Sequence, residues 1–432
     1  MTTISSTSHD DISIQARRAQ LAREARTTDK TEEKKSSTAG EAARNDGYKA
    51  SGEKDQPKSK GFGGLLSGLK EAFGKDDKEE HTSGVLDRLA DRIRDAKAPL
   101  AERREEDPTI ALIDDFTKAE NDTTHGELVE SVLDDNTGVS DRDVQRYQVG
   151  NNVDLGLFDN ANERDFGESL DSYVESYSTE VLNGSSKALE DILFDKDSKV
   201  RTVNQSLAAP EARIAENIYG SIQNDPEFRN RFLEYSGLPE GATDQQILQT
   251  LANEVAESKR TNENIQGAQV RYDYVSGEAR KKGITNVVAA GNHGEFADTL
   301  AQNGVVVDQE FFRNPLANHN TLNVGATNAQ GGAAVFTSPY AGAEISANGE
   351  NVSTYEDGQQ FTNNGTSFAA PQVAAAAADL AMRYPNLNAA QIEELLLGTS
   401  TNTGQNPYEV GYGTLNTDYA NQVAEQYSWA AA

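Results

Sequence analysis

The chain predicts an α/β fold of three layers, a mainly parallel sheet with helices on both faces. Three observations carry that expectation. Residues 109–116, Thr-Ile-Ala-Leu-Ile-Asp-Asp-Phe, form a short apolar run ending in carboxylates, as in a buried parallel strand whose carboxyl end meets a crevice. Residues 286–294, Asn-Val-Val-Ala-Ala-Gly-Asn-His-Gly, repeat the pattern: an apolar strand, then a polar turn. Residues 364–371, Asn-Gly-Thr-Ser-Phe-Ala-Ala-Pro, lead at once into an alanine-rich run whose small side chains let a helix lie close against a sheet.

Along the chain, residues 1–60 are rich in Ser, Thr, Lys, Glu and Asp and poor in apolar residues, a composition that predicts disorder. Phe62, Leu65, Leu66, Leu69 and Phe73 follow at helical spacing, flanked by Lys58, Lys60, Lys70 and Lys75. Val85, Leu86, Leu89 and Ile93 make a second amphipathic piece. Both pieces suit docking on the domain that follows or inhibition of it, which would make residues 1–107 an inhibitory or targeting leader, or contact with a membrane surface or a partner groove through residues 61–93. After the first strand, Thr123 or Thr124 can cap a helix opening at His125, with Leu128, Val129 and Val132 on one face. Residues 211–282 read as several helices, punctuated by Asn-Asp-Pro-Glu at 224–227 and Gly-Leu-Pro-Glu-Gly at 237–241. They are expected as a lid or rim over the substrate, or as a surface insertion without a role. Pro371 is expected in the first turn of the alanine-rich helix, where a missing N–H costs nothing. Residues 386–398 read as a further helix, with Leu387, Ile392, Leu395 and Leu396 apolar and Gly398 as its stop.

The chemistry converges on Ser367. A serine hydroxyl is a weak nucleophile that needs a base for its proton and donors for the oxyanion it creates. Standing where a helix opens, Ser367 already has its own N–H and the positive end of the helix dipole. Asp114 is the first polar side chain after the 109–113 run, and His125 follows eleven positions later. A carboxylate that fixes an imidazole, and an imidazole that deprotonates a serine, make the general-base unit of acyl transfer. Asp115 is a second carboxylate beside the first, although strand alternation points the two opposite ways. Asn292, in the turn after the second strand, offers a side-chain amide to the developing oxyanion.

The order Asp…His…Ser is that of subtilisin, and these four segments resemble the signatures of the subtilisin-like serine proteases. Ala289-Ala290-Gly291-Asn292 and Gly365 to Pro371 match closely. Ile113-Asp114-Asp115-Phe116 departs from the usual Thr or Ser and Gly after the aspartate, and His125-Gly126 is followed by Glu127-Leu128 in place of Thr-His. The gap between Asp114 and His125 is short for the family, yet ten intervening residues can span roughly 30 Å. Val203 to Leu207 resembles the substrate-lining strand, Asn323 to Thr327 the strand after the oxyanion region, Ala347 to Val352 the Ala-Pro-Gly segment with Asn348 in place of proline, and Tyr412 to Leu415 the late Tyr-Gly turn. The resemblance implies a three-layer subtilisin-like peptidase domain over residues 108–432, following an extension of residues 1–107. It implies a serine endopeptidase acting on polypeptides through catalytic Asp114, His125 and Ser367. Asn292 would be the oxyanion donor, and Ser206, Leu207, Ala290 and Gly291 would line the substrate. No cofactor is required. Structural calcium, which relatives often use, could sit at Asp134-Asp135-Asn136 or Asn151-Asn152-Val153-Asp154, although solvated acidic loops explain both. The competing expectation is a protease-shaped binding module that acts through its extension.

Composition narrows the remaining classes. A formal net charge of −30 sets the chain against nucleic-acid phosphates, so no nucleic-acid partner is expected. There are no cysteines, hence no disulfides and no thiolate metal site. The five histidines show no zinc-ligand spacing, so no metal is expected in catalysis. His293 is expected at the rim of the cleft and His319 in a surface loop. No run of some twenty apolar residues predicts a transmembrane helix. The first residues lack the basic and apolar regions of a Sec signal, which leaves the cytoplasm or export by a route without a cleaved signal.

Overall fold

A computed structural model describes residues 109–117, 123–136, 144–150, 155–158, 165–356, 358–402 and 404–428. The chain divides into Met1–Asp76 and Asp77–Ala432, and every described residue belongs to the second unit. The expectations for residues 1–107 and for the acidic cluster at 151–154 lie outside the described residues.

Six strands build the main sheet: β1 (Thr109–Asp114), β2 (Val144–Gln148), β3 (Val200–Gln205), β4 (Thr285–Ala289), β5 (Leu322–Thr327) and β6 (Ile345–Asn348). Their order is β2-β1-β3-β4-β5-β6, and every neighbouring pair is parallel. A hairpin of β7 (Val352–Glu356) and β8 (Gln359–Asn363) stands apart as an antiparallel pair. The helices are α1 (His125–Asn136), α2 (Phe166–Phe194), α3 (Glu211–Asn224), α4 (Pro226–Ser236), α5 (Asp244–Thr261), α6 (Glu263–Lys281), α7 (Gly294–Gln302), α8 (Thr366–Arg383), α9 (Ala389–Thr399), α10 (Pro407–Val410) and α11 (Thr417–Ser428).

The strand residues explain the three layers. All of β1 is buried, so both of its faces must be covered. Ala111 and Ile113 pack in one core with α2, α3, α5 and α6, through Leu189, Ile218, Leu251 and Val275 among others. Ile110 faces the opposite core with Ala374, Ala377 and Leu380 of α8 and Ile392 of α9, and Leu112 meets Val129, Val132 and Phe368. This is the period of two at work: successive side chains leave the sheet on opposite faces. The alanine run of α8 is buried from Ala374 to Ala378, which lets that helix lie across several strands at once.

The topology also decides where a crevice opens. From β1 the chain goes outward through α1 to β2, returns over β1 through α2 to β3, and then runs the other way to β4, β5 and β6. The order reverses between β1 and β3, and at such a switch point the carboxyl ends of the strands diverge. Asp114 closes β1 and Ser206 follows β3, so both stand at that reversal.

Three expectations need correction. Residues 211–282 form the four helices α3 to α6 and are no idle surface insertion, and Arg213 of α3 lines the cleft described below. Ile214, Ile218, Ile247, Leu251, Tyr272 and Val275 are fully buried, and these helices supply a core layer of one sheet face. Helix α9 begins at Ala389 under an Asn388 capping box, and Gly398 lies inside it, with Ser400 as its C-cap. Pro371 is the sixth residue of α8, beyond the turn where a missing N–H is free.

Candidate active site

Asp114 is fully buried at the end of β1, and its Oδ1 lies 2.6 Å from His125 Nδ1. The same oxygen accepts the backbone N–H of Asp115 at 2.7 Å. Asp115 points elsewhere: its Oδ1 accepts from Thr117 N at 2.9 Å and Gln148 Nε2 at 2.8 Å. Of the two carboxylates the geometry therefore pairs Asp114 with the imidazole. Strand alternation is the reason, since Asp114 shares the α8 side with Ile110 and Leu112.

His125 is delivered by the first turn of α1. Thr124 caps that helix, accepting from Glu127 N at 3.2 Å and donating to the Glu127 carboxylate at 2.8 Å. Gly126 N donates to the Asp115 carbonyl at 2.9 Å, which ties the start of α1 to the end of β1 despite the short connection. An added Cβ at Gly126 would stand 2.5 Å from the Phe116 ring, so a larger residue there requires that ring to move. Burial pulls the His125 imidazolium downward. The Asp114 charge and hydrogen bond, helped by Asp115, outweigh it and hold the pKa above the ordinary 6.5. For Asp115, burial pushes upward, but the hydrogen bonds from Thr117 and Gln148 win and its pKa is lowered.

Ser367 is the second residue of α8, and Pro371 shapes its surroundings. A helix-interior proline costs about 3 kcal/mol, because it removes the N–H that would bond the carbonyl four residues back. That carbonyl belongs to Ser367. It is taken instead by the Ser206 hydroxyl, which donates to it at 2.9 Å. Asn204 Nδ2 in turn donates to Ser206 Oγ at 3.0 Å. The Ser367 hydroxyl donates to the Ser206 carbonyl at 3.2 Å and makes no hydrogen bond with His125. A reciprocal pair thus joins the strand end to the helix start.

Asn292 follows β4 with its amide oriented by Thr366. Its Oδ1 accepts from Thr366 N at 2.8 Å and from Thr366 Oγ1 at 3.0 Å. A backbone N–H can only donate, so the oxygen must face Thr366 and Nδ2 is left as a donor on the other side. Thr366 Oγ1 also accepts from Gly291 N at 3.0 Å. Gly365 caps α8 at φ 156°, ψ 154°, a conformation that only glycine adopts readily. The space its missing Cβ would fill is bordered by Asn292 Nδ2 at 3.2 Å and by the Ser367 backbone nitrogen at 3.6 Å. Two donors therefore converge on one empty volume beside the Ser367 side chain.

These groups share a cleft of about 620 Å³, lined by His125, Ser206, Leu207, Ala289, Gly291, Asn292, Ser367 and Phe368 among others. Two expectations shift. Ala290 does not line the cleft; it turns away and is buried with Ala341 and Ala343, leaving Ala289 and Gly291 on the wall. His293 is 3% exposed, held by Glu216 Oε2 at 3.0 Å from its Nδ1, so it belongs to the wall rather than the rim. His319 is exposed, as a loop residue. Asp134 and Asp135 close α1, and no group of three or more His, Cys, Asp or Glu among the described residues is placed to hold a metal. Among the described residues no helix is long and apolar enough to cross a membrane.

The sequence profile of the subtilase family, Peptidase_S8, matches residues 170–413. The chain belongs to the subtilase family. The match holds Asn292 and Ser367 and begins after Asp114 and His125, so the placing of those two in this subtilase rests on the geometry above. Over 146 residues the chain is 36% identical to subtilisin DY of Bacillus licheniformis, which covers 34% of the chain and 49% of that protein. Over 144 residues it is 35% identical to subtilisin Savinase of Lederbergia lenta, which covers 33% and 48%. The chain spans about a third to a half of the length of the curated relatives it matches. Among solved structures, a lanthipeptide protease aligns over 73% of this chain and 87% of that one at 15% identity, with a TM-score of 0.43. MycP1 without its N-terminal propeptide aligns over 74% and 93% at 17% identity, with a TM-score of 0.40.

Sequence reading missed Thr366, which orients Asn292, and Asn204, which supports Ser206. Their signals were present as an uncharged polar residue within each motif, yet neither is recognisable until the strand end and the helix start are brought together. Thr366→Val removes two hydrogen bonds of the hydroxyl, one to Asn292 Oδ1 and one from Gly291 N, each worth about 1 kcal/mol net, and is expected to lower kcat for a peptide substrate about ten- to thirtyfold. KM should change little. Steady-state kinetics on the purified variant measure both.

Proposed function

We propose that this subtilase is a serine endopeptidase that cleaves polypeptides through an acyl-enzyme. The observation that carries the reading is the convergence of the Asp114–His125 pair, Ser367 and two oriented donors on one cleft at the switch point of the sheet. In this reading the Ser367 hydroxyl turns from the Ser206 carbonyl toward His125 as substrate enters. His125 takes its proton, and Ser367 Oγ attacks the scissile carbonyl carbon. The developing oxyanion occupies the volume beside Gly365, where Asn292 Nδ2 and the Ser367 N–H receive it. Asp114 keeps the proton on Nδ1, so that Nε2 is the accepting nitrogen, and it stabilises the imidazolium that forms. His125 then gives the proton to the leaving amine. The C–N bond breaks, and water releases the acyl group by the same steps in reverse.

Labelling with a fluorophosphonate tests this reading. The wild-type protein should gain the mass of one adduct, and Ser367→Ala should gain none. Folded protein that stays unlabelled both at full length and after removal of residues 1–107 would sink the enzymatic reading and leave a binding module on a protease fold, whereas labelling restored by that removal would make the extension an inhibitor.

A further inference from the structure

Beyond the groups that meet the reacting atoms, a buried amide sits behind the cleft with no assigned task. Pairing between β3 and β4 ends at Gln205 and Val288. Past that point the two chains separate, one carrying Ser206 and Leu207, the other Ala289 and Gly291, and the cleft opens between them. Their separation should leave two backbone carbonyls without partners. Asn314 supplies both. Its Nδ2 donates to the Leu207 carbonyl at 2.8 Å and to the Ala289 carbonyl at 2.7 Å. Its Oδ1 accepts from Leu316 N at 3.1 Å, which fixes the orientation of the amide. Asn314 is fully buried and touches no solvent in the cleft.

We propose that Asn314 is a positioning residue that sets the distance between the two walls receiving the substrate chain. Only a primary amide of this length fits the role. An amide nitrogen carries two N–H groups, one for each carbonyl, while its oxygen is needed for Leu316. Aspartate has the same shape but cannot donate, and leucine offers no hydrogen at all. With neither donor the two carbonyls repel or recruit water, and the walls move apart. The Leu207 wall is the one joined to Ser367 through Ser206, so the width set by Asn314 is measured from the nucleophile itself.

The inference rests on the proposed peptidase reading, and the test separates the two. Asn314→Asp and Asn314→Ser are compared with wild type for fluorophosphonate labelling rate and for kcat/KM on a fluorogenic peptide. In a Ser367→Ala background, the same substitutions are compared for the affinity of a mixed-sequence fluorescent decapeptide pool. Asn314→Asp should lower peptide kcat/KM about ten- to a hundredfold, mainly through KM, and weaken decapeptide binding about tenfold or more. Labelling by the small fluorophosphonate, which uses little of the walls, should slow only severalfold. Asn314→Ser, which keeps one donor, should fall between. Labelling and peptide hydrolysis falling by one common factor would overturn the proposal, since that is what loss of folded protein does. Unchanged KM and decapeptide affinity in both variants would also overturn it. A wild-type protein that labels neither at full length nor without residues 1–107 sinks the peptidase reading instead, and the decapeptide affinities still decide the role of Asn314.

Discussion

His125→Ala is expected to lower peptide hydrolysis roughly 10⁶-fold while leaving the fold in place, because members of a nucleophile–base unit fail together. His125 is suited to such a test. Its side chain keeps 39% of its surface open, and its one hydrogen bond is to Asp114 Oδ1. Its ring lies beside Phe368, with centroids 5.9 Å apart, so truncation removes one edge of the cleft and little of the core. The expected residual rate is that of the oriented donors and substrate binding alone, about 10³–10⁴ above water. The measurement is hydrolysis of a fluorogenic peptide together with a thermal melt. Activity within tenfold of wild type, at an unchanged melting temperature, would remove His125 from the mechanism and Asp114 with it.

Asp114→Asn should cost about 10⁴ in kcat and also move the pH profile. The asparagine amide can donate to His125 Nδ1, which leaves the proton on Nε2, where it cannot accept from Ser367. The shift in pH has a definite sign. In the proposed mechanism hydrolysis needs neutral His125, so protonation is expected to switch activity off. Burial lowers the His125 pKa, and the charge and hydrogen bond of Asp114 raise it, with a lesser push from Asp115, for a net position above 6.5. The acid limb of kcat/KM for wild type, which reports the free enzyme, is therefore expected above pH 6.5. Removing Asp114 takes away the two largest upward contributions, and the limb should move to lower pH. Asp115→Asn removes only the smallest contribution, so its limb should move down much less. A larger shift for Asp115→Asn than for Asp114→Asn would make Asp115 the residue that governs the imidazole.

Much of this site was legible in the chain because motifs are local. Gly365-Thr366-Ser367 carries its own turn, since only glycine adopts φ 156° there and since Ser367 then falls among the first helical amides, which have no partner within the helix. The run from Ile110 to Ile113 reads as a buried strand from apolar residues alone, and the carboxylate that ends it marks the crevice. Asp114 over Asp115 followed from alternation. Other features depended on contacts between distant segments. Pro371 was misplaced because a helix start is settled by what caps it, here Gly365 with Asn292 receiving the Thr366 N–H. The tolerance for that proline comes from Ser206, which bonds the freed carbonyl of Ser367 from 161 residues away. Helices α3 to α6 looked polar in sequence, since one apolar stripe per helix is diluted by its solvated face; only packing showed that the stripes complete the core.

The sequence by itself determined which chemical groups this subtilase has and in what order, and through periodicity and turn residues it determined the strand ends and helix starts that carry them. What only the tertiary structure decided is how those ends meet: the pairing of Asp114 with His125, the turning of the Asn292 amide by Thr366, the withdrawal of Ala290 from the wall and the bridging of Leu207 and Ala289 by Asn314. The physical reason is range. Backbone conformation and burial pattern are set within a few residues, whereas a hydrogen bond of about 3 Å between segments far apart in sequence exists only once the sheet order has brought their ends to one crevice.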